Sequence, residues 1–555
     1  TLHEGVELRF GASGQISIGN THWLSNPGGL IVDGGSEGVL MTSSLANPQP
    51  GSWDGLTIAW DAAANTSIDR LIYEYADELR VDRSIPVSNS TIRYNSDYGI
   101  HVSADVVLAL SDSRVEENNG YGLLLDNKAA LSLFEDNVIT GNTSNPISMP
   151  LATLHLLDST SSFAGNDVDP ILVLGGTLSE DVTWRALDVP YEITTDVYVQ
   201  KDNDPAVLTL EDGVRMLFAT NVGMYVGNGN MGDLVVDGDR ALGAGVEFGP
   251  ATDNGPGSWK GLYFGSKTSS TTDLSGFVLH DAGQTINAGV YLNAATVAMS
   301  DCLVSDNVWY GLYSYDSTVS IEDCTFKGTK ASSGSMVNGD GLFFNYSNAV
   351  TMSGVVSTGN ERYPVSSNPD VLASLGEDSN FAANGIDAIH VQTGGSAWVG
   401  GGGLWRNYDM PYLFAVSPWI GGGSTPLVEI ESGVTTRWAA DTYMNVGYNS
   451  SGNLIADGVT FTAWSDNPQA GDWWGIRFSS GATATSSLTD STIEYSGDSF
   501  QGAILLEGTA ATISGNFFQE SSGYGIYCSQ YFGSSDLVGE NFFANNGSGD
   551  VRLCQ

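Results

Sequence analysis

The four cysteines are the residues of this chain whose type and spacing most directly suggest chemistry. They form two close pairs, Cys302 with Cys324 and Cys528 with Cys554. An even cysteine count without a C-x-x-C motif favours disulfides over a zinc ribbon or a thioredoxin-like site. Disulfides form in oxidising compartments. We therefore expect two disulfides and an extracellular or cell-surface location.

The balance of charged residues limits which partners the protein can bind. The chain holds 64 Asp and Glu against 20 Lys and Arg, which gives a formal net charge of −44. Such a surface repels phosphate backbones and anionic lipid headgroups, so we expect no nucleic-acid partner. The acidity serves solubility in our interpretation, and calcium binding is the alternative. We expect no cofactor, because no D-x-D-x-D-G run is present.

The histidines are spaced unfavourably for binding a metal ion. They form no i, i+4 or H-x-H group, and none recurs in the same phase of a repeat. We therefore expect no metal site built on them. They are His3, His22, His101, His155, His280 and His390.

Three tryptophans recur in one sequence context, which allows two interpretations. Trp53, Trp259 and Trp473 each follow a turn rich in Gly and precede a Gly and an apolar strand. They could be exposed platforms on which sugars stack, or buried wedges that fill a corner of the fold. We favour the buried wedge.

A short repeat shows which elements must position these residues. Related phrases return about every 22 residues, as in Tyr98-Gly99-Ile100 followed by Tyr121-Gly122-Leu123. Each period contains two or three short alternating apolar runs separated by Asn, Asp, Gly and Ser, which are strand and turn signals. This pattern predicts an all-β solenoid in which every strand pairs in parallel with its copies one coil away. Each cysteine pair then lies about one coil apart, within reach of a disulfide.

A longer repeat is superimposed on the short one. Trp184-Arg185 returns as Trp405-Arg406, and the phrase around Trp53 returns around Trp259 and Trp473. The sequence predicts tandem repeats of about 210–220 residues, with no linker between them. We place their boundaries at 1–198, 199–420 and a partial third repeat at 421–555. Because Trp184, Arg185, Trp405 and Arg406 recur, we interpret them as structural corners. Each guanidinium would stack on the tryptophan or bond to turn carbonyls.

At this level the chain resembles the secreted right-handed parallel β-helix repeat proteins of the broad pectate-lyase-like superfamily. The resemblance covers essentially the whole chain. It rests on the 22-residue period, the Asn-rich turns at 116–119 and 141–145, and a P-G-x-W-x-G phrase. The third repeat departs from that phrase, with Ala470 where the others have Pro50 and Pro256. The resemblance implies a right-handed parallel β-helix and leaves function open, because this fold hosts lyases, hydrolases, adhesins and inert fibres.

The small number of Lys and Arg residues favours some of these functions over others. Lyase chemistry needs positive charge to hold a uronate and stabilise the carbanion beside its carboxylate. We therefore name no catalytic residue and favour an extracellular structural protein, a subunit of a surface fibre or cell-surface layer. A polysaccharide lyase or glycoside hydrolase is one alternative, and an adhesin that binds surface glycans is another. Thr1 begins inside a repeat phrase, so we expect end-to-end self-association through open strand edges. We also expect no membrane span, because no apolar run approaches the roughly 20 residues that a spanning helix needs.

Overall fold

The computed structural model describes residues 1–19, 27–241, 243–332, 337–346, 349–392 and 397–554. Short parallel strands dominate it, and most pair with the strands one coil before and one coil after. Ile100–Val102, for example, lies between Leu79–Val81 and Leu123–Leu125. The predicted parallel β-helix fold is confirmed.

The chain forms two compact bodies. The N-terminal body comprises Thr1–Asn254, Ser258–Tyr263 and Lys267–Leu279. The C-terminal body comprises Gly255–Gly257, Phe264–Ser266 and His280–Gln555.

The strands of the N-terminal body belong to five parallel sheets. The first contains Leu2–His3, Ile31–Asp33, Ser67–Asp69, Ile85–Ser88, Val107–Ser111 and Ala130–Glu135. The second contains Glu7–Phe10, Val39–Ser43, Leu71–Glu74, Thr91–Arg93, Arg114–Glu116 and Val138–Thr140. The third contains Gln15–Ile18, Gly55–Ile58, Leu79–Val81, Ile100–Val102, Leu123–Leu125, Ile147–Pro150, Ile171–Leu174, Tyr191–Ile193, Arg215–Phe218, Val246–Pro250 and Phe277–His280. The fourth and fifth contain Gly176–Leu178, Val197–Val199, Gly223–Val226 and Gly261–Phe264, and Val182–Trp184, Ala206–Glu211, Gly232–Asp237 and Asp273–Ser275.

The C-terminal body is built in the same way. Its main sheet contains Val290–Asn293, Tyr310–Tyr315, Asp340–Asn345, Val365–Ser367, Ile389–Val391, Tyr412–Phe414, Thr435–Trp438, Thr460–Ala463, Thr492–Glu494, Phe517–Gln519 and Phe542–Ala544. Two short sheets contain Thr296–Ser300, Thr318–Glu322 and Ala349–Ser353, and Leu303–Ser305, Thr325–Lys327 and Val356–Thr358. Two others contain Trp398–Val399, Trp419–Ile420, Tyr443–Val446, Gly475–Ser479, Gly502–Thr509, Tyr524–Tyr531 and Gly549–Arg552, and Gly403–Trp405, Leu427–Ile430, Asn453–Asp457, Ser487–Thr489 and Thr512–Ser514.

Two short 3₁₀ helices, Leu151–Leu156 and Pro369–Ser374, occupy corresponding places in the first and second repeats. After the first of these helices, strands that correspond in sequence to those of the first repeat belong to a different sheet. Arg215–Phe218 is the sequence counterpart of Glu7–Phe10, yet it lies in the sheet of Gln15–Ile18. Corresponding residues of these two repeats therefore face different sides of the coil. No helix among the described residues is long and apolar enough to cross a membrane.

Asp and Asn residues make the sharp turns between the first and second sheets. Asn89, Asp112 and Asp136 stand at this turn in successive coils with φ of 51°, 50° and 52°. Their short polar side chains tolerate this left-handed conformation better than most residues do. Part of the high Asp content of the chain is therefore a requirement of the turns.

A ladder of buried asparagines holds another turn of the N-terminal body in register. Asn95, Asn118 and Asn142 are fully buried. The Asn118 Oδ1 accepts hydrogen bonds from the backbone N and the Nδ2 of Asn95, over 3.1 and 2.8 Å. The Asn142 Oδ1 accepts the same pair from Asn118. Each side chain thus satisfies the backbone of the coil before it, as buried polar groups require.

Both predicted disulfides are present. Cys302 is bonded to Cys324 with a Cα–Cα distance of 4.5 Å, and Cys528 to Cys554 with 4.7 Å. The prediction from coil spacing is confirmed, because residues one coil apart stack at about the strand separation.

Candidate functional site

The recurring tryptophans Trp53, Trp259 and Trp473 lie inside the coils. All three are 0% exposed. Trp53 stacks on Phe10 with ring centroids 4.2 Å apart. Its indole Nε1 donates to the carbonyl oxygen of Glu74 over 2.9 Å. Their positions leave no face open for a sugar.

Trp184 and Trp405 are also buried, at 1% and 0% exposed. Arg185 donates from Nη1 to the carbonyl oxygen of His155 over 3.3 Å. The hydroxyl of Tyr191 donates to the Arg185 carbonyl over 2.7 Å, and the corresponding tyrosine of the second repeat bonds Arg406 in the same way. These contacts place both Trp-Arg pairs at bonded corners of the coil.

The repeats provide an internal comparison that separates fold from function. Residues that point into the core stay mostly apolar between repeats, whereas those that point outward from the corresponding strands differ. We call the outward-facing positions in the main sheet of the C-terminal body the outer column. Its members are Tyr291, Tyr313, Phe343, Ser366, His390 and Leu413. The first repeat has Arg80, His101, Leu124, Ser148, Leu172 and Glu192 at these register positions.

Aromatic residues occupy one end of the outer column. Tyr291 stacks on Tyr313 with ring centroids 4.7 Å apart, and Tyr313 stacks on Phe343 at 5.2 Å. Their ring faces largely cover one another, so the column presents mainly ring edges and phenol groups to its surroundings.

His390 is the centre of a polar group farther along the outer column. Its Nδ1 lies 3.1 Å from the Ser366 Oγ. The Ser366 hydroxyl donates to the Oδ2 of Asp340 over 2.8 Å. Asp340 is fully buried, and its Oδ1 accepts from the backbone N of Tyr363 over 3.3 Å. A continuous chain of contacts therefore joins a buried carboxylate to a half-buried imidazole.

Aromatic and apolar side chains enclose this group. The His390 ring stacks on Tyr363 with centroids 4.5 Å apart and meets Trp464 edge-on at 5.9 Å. Tyr363, Ala388 and Leu413 form a small hydrophobic cluster against which Trp464 packs. Ser366 and Leu413 belong to the outer column and are nevertheless buried. We call Asp340, Tyr363, Ser366, His390 and Trp464 the His390 site.

Arg362 borders the His390 site. Its Nε lies 3.5 Å from the Asp340 Oδ1, and its Cζ lies 4.8 Å from the centre of the Tyr363 ring. Its Nη1 is buried without a hydrogen-bond partner among the described residues. The cation therefore faces one carboxylate and one ring face.

Among the described residues, the equivalent place in the first repeat lacks this site. Ser148 of the first repeat corresponds to Ser366, but its neighbours lack the other groups of the His390 site. The counterparts of Asp340, Arg362, Tyr363 and His390 in the first repeat are Tyr121, Ser144, Asn145 and Leu172. The counterparts of Trp464 in the first and second repeats are Ser44 and Ala251, which make the equivalent backbone hydrogen bond.

Burial shifts the pKa values of the two titratable groups of the site, Asp340 and His390, in opposite directions. It raises the pKa of Asp340 to about 6, against the opposing effects of Arg362 and of hydrogen bonds from Ser366 and Tyr363. Burial lowers the pKa of His390 to about 4, and the charge of Arg362 adds to this. Both shifts disfavour the charged form, as desolvation does. Shifted groups of this kind concentrate at functional sites.

The raised pKa of Asp340 has a measurable effect on stability. The fold binds the Asp340 proton more tightly than the unfolded chain does, so this stabilisation is complete below pH 3.8 and is lost as pH rises through about 6. Relative to Asp340→Asn, the wild type should lose about 2 kcal/mol of unfolding free energy between pH 4 and pH 7.5. Denaturant unfolding of both proteins at the two pH values measures this. A difference that does not change with pH would contradict the burial of an ionisable Asp340.

A second polar group lies in the N-terminal body around His101. Its Nδ1 is 3.0 Å from Glu78 Oε2 and its Nε2 is 3.2 Å from Asp126 Oδ1. Hydrogen bonding to Glu78 raises the pKa of His101, against the effect of burial. Both ring nitrogens have partners, so this histidine serves a surface ion-pair network. The sequence interpretation missed it, although the spacing of Glu78, His101 and Asp126 by about one coil is a signal that could have revealed it.

The surface hollows do not coincide with these groups. One of about 430 Å³ is lined by residues including Glu37, Arg70, Thr91 and Asp112, and it contains no His. We give more weight to the His390 site, because it combines burial, shifted pKa values and a residue set that the equivalent place in the first repeat lacks. Within the described part of the chain, no group of three or more His, Cys, Asp or Glu side chains is placed to hold a metal ion. Calcium binding stays an untested alternative, and His22 lies outside the described residues.

Comparison with known proteins adds little to this geometry. No family model matches the chain, and no curated protein does. Among solved structures, the chain is similar to one described as the structure of a PL6 family alginate lyase, AlyGC. The match has 11% identity and covers 91% of this chain and 79% of that one, with a TM-score of 0.18. At this TM-score the likeness carries no argument about function.

Proposed function

We propose that this protein is an extracellular glycan-binding protein, an adhesive surface component whose binding site is the His390 site. The observation that supports this most is the internal comparison. On the outer face a histidine, a buried carboxylate and a tryptophan meet in space, where the first repeat has Leu172, Tyr121 and Ser44. Residues that only maintain the coil have no reason to differ in this way.

The chemistry of the His390 site suits a neutral, hydroxyl-rich ligand. Trp464 provides an apolar surface with a polar edge, a combination common in binding sites that are partly wet. The Nε2 of His390 makes no hydrogen bond within the described part of the chain, and it is free to exchange one with a hydroxyl. A net charge of −44 disfavours phosphates and uronates.

The two disulfides support an extracellular setting, because such bonds persist in oxidising compartments. A glycan-binding role is also compatible with the fibre or surface-layer function that the sequence favours. End-to-end self-association stays a prediction.

Substitutions taken from the repeats themselves test the proposed function. His390→Leu and Trp464→Ser introduce the residues that the first repeat carries at these positions, so we expect both variants to fold. Calorimetric titration with neutral gluco-, manno- and xylo-oligosaccharides should show binding to the wild type and at least about tenfold weaker binding to either variant. That factor corresponds to the loss of one hydrogen bond or one ring contact.

A matched control is Trp60→Ala, which removes a tryptophan that is 52% exposed and lies outside the site. It should bind like the wild type. Equal binding by His390→Leu and wild type, or no binding of any neutral glycan, would refute the proposed function. Product release from the same oligosaccharides would instead indicate the glycoside hydrolase alternative.

A further inference from the structure

The buried carboxylate of Asp340 is linked to the outer face through one defined route. The side chain is 0% exposed. Its hydrogen-bond partners are the Ser366 hydroxyl and the Tyr363 backbone N, and Arg362 faces it at 3.5 Å. Of these groups, only the hydroxyl both donates and accepts. It also contacts the Nδ1 of His390.

The single proton of the Ser366 hydroxyl decides the state of His390. While Asp340 is ionised, it can only accept, so Ser366 must donate to it. The Ser366 oxygen then accepts from His390, whose proton must be on Nδ1. The Nε2 is left as a bare acceptor at the outer face.

We propose that Asp340 and Ser366 form a proton relay that sets the tautomer of His390, so that protonation of the buried carboxylate converts Nε2 from a hydrogen-bond acceptor into a donor. The inference rests on the proposed function only for its effect on a ligand. The relay itself is a property of the three side chains.

The proton steps balance. A proton from solvent binds the Nε2 of His390, and the Nδ1 proton passes to the Ser366 oxygen. The original Ser366 proton passes to the Oδ2 of Asp340. The result is a neutral carboxylic acid, an intact hydroxyl and a neutral imidazole with its proton on Nε2. One proton has been gained, and the charge lost is that of Asp340.

The charges around the relay favour this order of protonation. The pKa of Asp340 is about 6 and that of His390 about 4, so an entering proton comes to rest on Asp340 and not on the imidazole. The charged and titratable groups that face the relay are Arg362, which acts on both Asp340 and His390, and the phenols of Tyr310 and Tyr363. Tyr310 and Tyr363 both have a pKa raised by burial, so they stay neutral over this range.

The consequence concerns which ligand group the site prefers. Well above pH 6 the site offers an acceptor, which suits a hydroxyl that donates. Below it the site offers a donor, which suits a ring oxygen or a carbonyl. Glycan contacts at Nε2 should therefore change partner with pH, although His390 stays neutral.

Nitrogen NMR of the full chain with ¹⁵N-labelled histidine tests the relay without any ligand. The His390 signal is assigned by its loss in His390→Leu. The wild type should have the proton on Nδ1 at pH 8 and on Nε2 at pH 5, with a midpoint near 6. Asp340→Asn should abolish the transition. In Ser366→Ala, the tautomer of His390 should no longer change when Asp340 titrates.

Thermal melts establish that each variant is folded. The signal of His155, which lies outside the site, provides the control, because Asp340→Asn should leave it unchanged. One tautomer at all pH values in the wild type, or an unaltered transition in Asp340→Asn, would overturn the relay. Absence of glycan binding with a normal tautomer transition would refute the proposed function alone.

Discussion

Replacing Trp53 by alanine is expected to lower the free energy of unfolding by about 4 kcal/mol, the usual cost of deleting a large buried aromatic side chain. Trp53 is 0% exposed, stacks on Phe10 and contacts Tyr73 with ring centroids 5.2 Å apart. The substitution also leaves the Glu74 carbonyl without its indole donor. Chemical denaturation monitored by circular dichroism measures the effect.

Trp60→Ala is the matched control, because the same side chain is removed from a site that is 52% exposed. Its effect should stay within about 0.5 kcal/mol, as for most surface substitutions. If the two variants were equally stable, the wedge interpretation of Trp53 would be wrong.

Asn118→Leu is expected to cost about 4 kcal/mol, although leucine is of similar size and more apolar. The cost comes from unpaired groups, since each buried polar group left without a partner costs about 1–3 kcal/mol. Asn118 accepts from the backbone N and the Nδ2 of Asn95, and both would lose their acceptor. The Ile92 carbonyl would lose the Asn118 Nδ2 at 3.3 Å.

The neighbouring residue supplies the control for the asparagine ladder. Asn119 is exposed, and its backbone N, which any residue provides, bonds the Asn95 carbonyl over 3.0 Å. Asn119→Ala should therefore change the free energy of unfolding little. Comparable losses in the two variants would show that the ladder does not stabilise the turn.

Local pattern was sufficient to predict the architecture of this protein. In a β-helix, every strand pairs with its own copies, so the period of the sequence equals the length of a coil. The same reasoning joined Cys302 to Cys324, because residues in one phase stack about one strand spacing apart. The change of sheet between repeats was not predicted. It arises near Leu151–Leu156, where a 3₁₀ helix replaces a strand, and no periodic signal marks that event.

The candidate site could not be predicted from the sequence, because its members belong to separate coils. Their burial and their shifted pKa values depend on contacts between those coils. Asp340, His390 and Trp464 are ordinary residues in their local segments. Burial raises the pKa of Asp340 and lowers that of His390, and a single serine hydroxyl joins them. The sequence by itself determined the coil, its turns and its disulfides, since these depend on spacing along the chain. Only the tertiary structure decided which outward side chains share a desolvated surface, because desolvation depends on neighbours from several coils and not on local pattern.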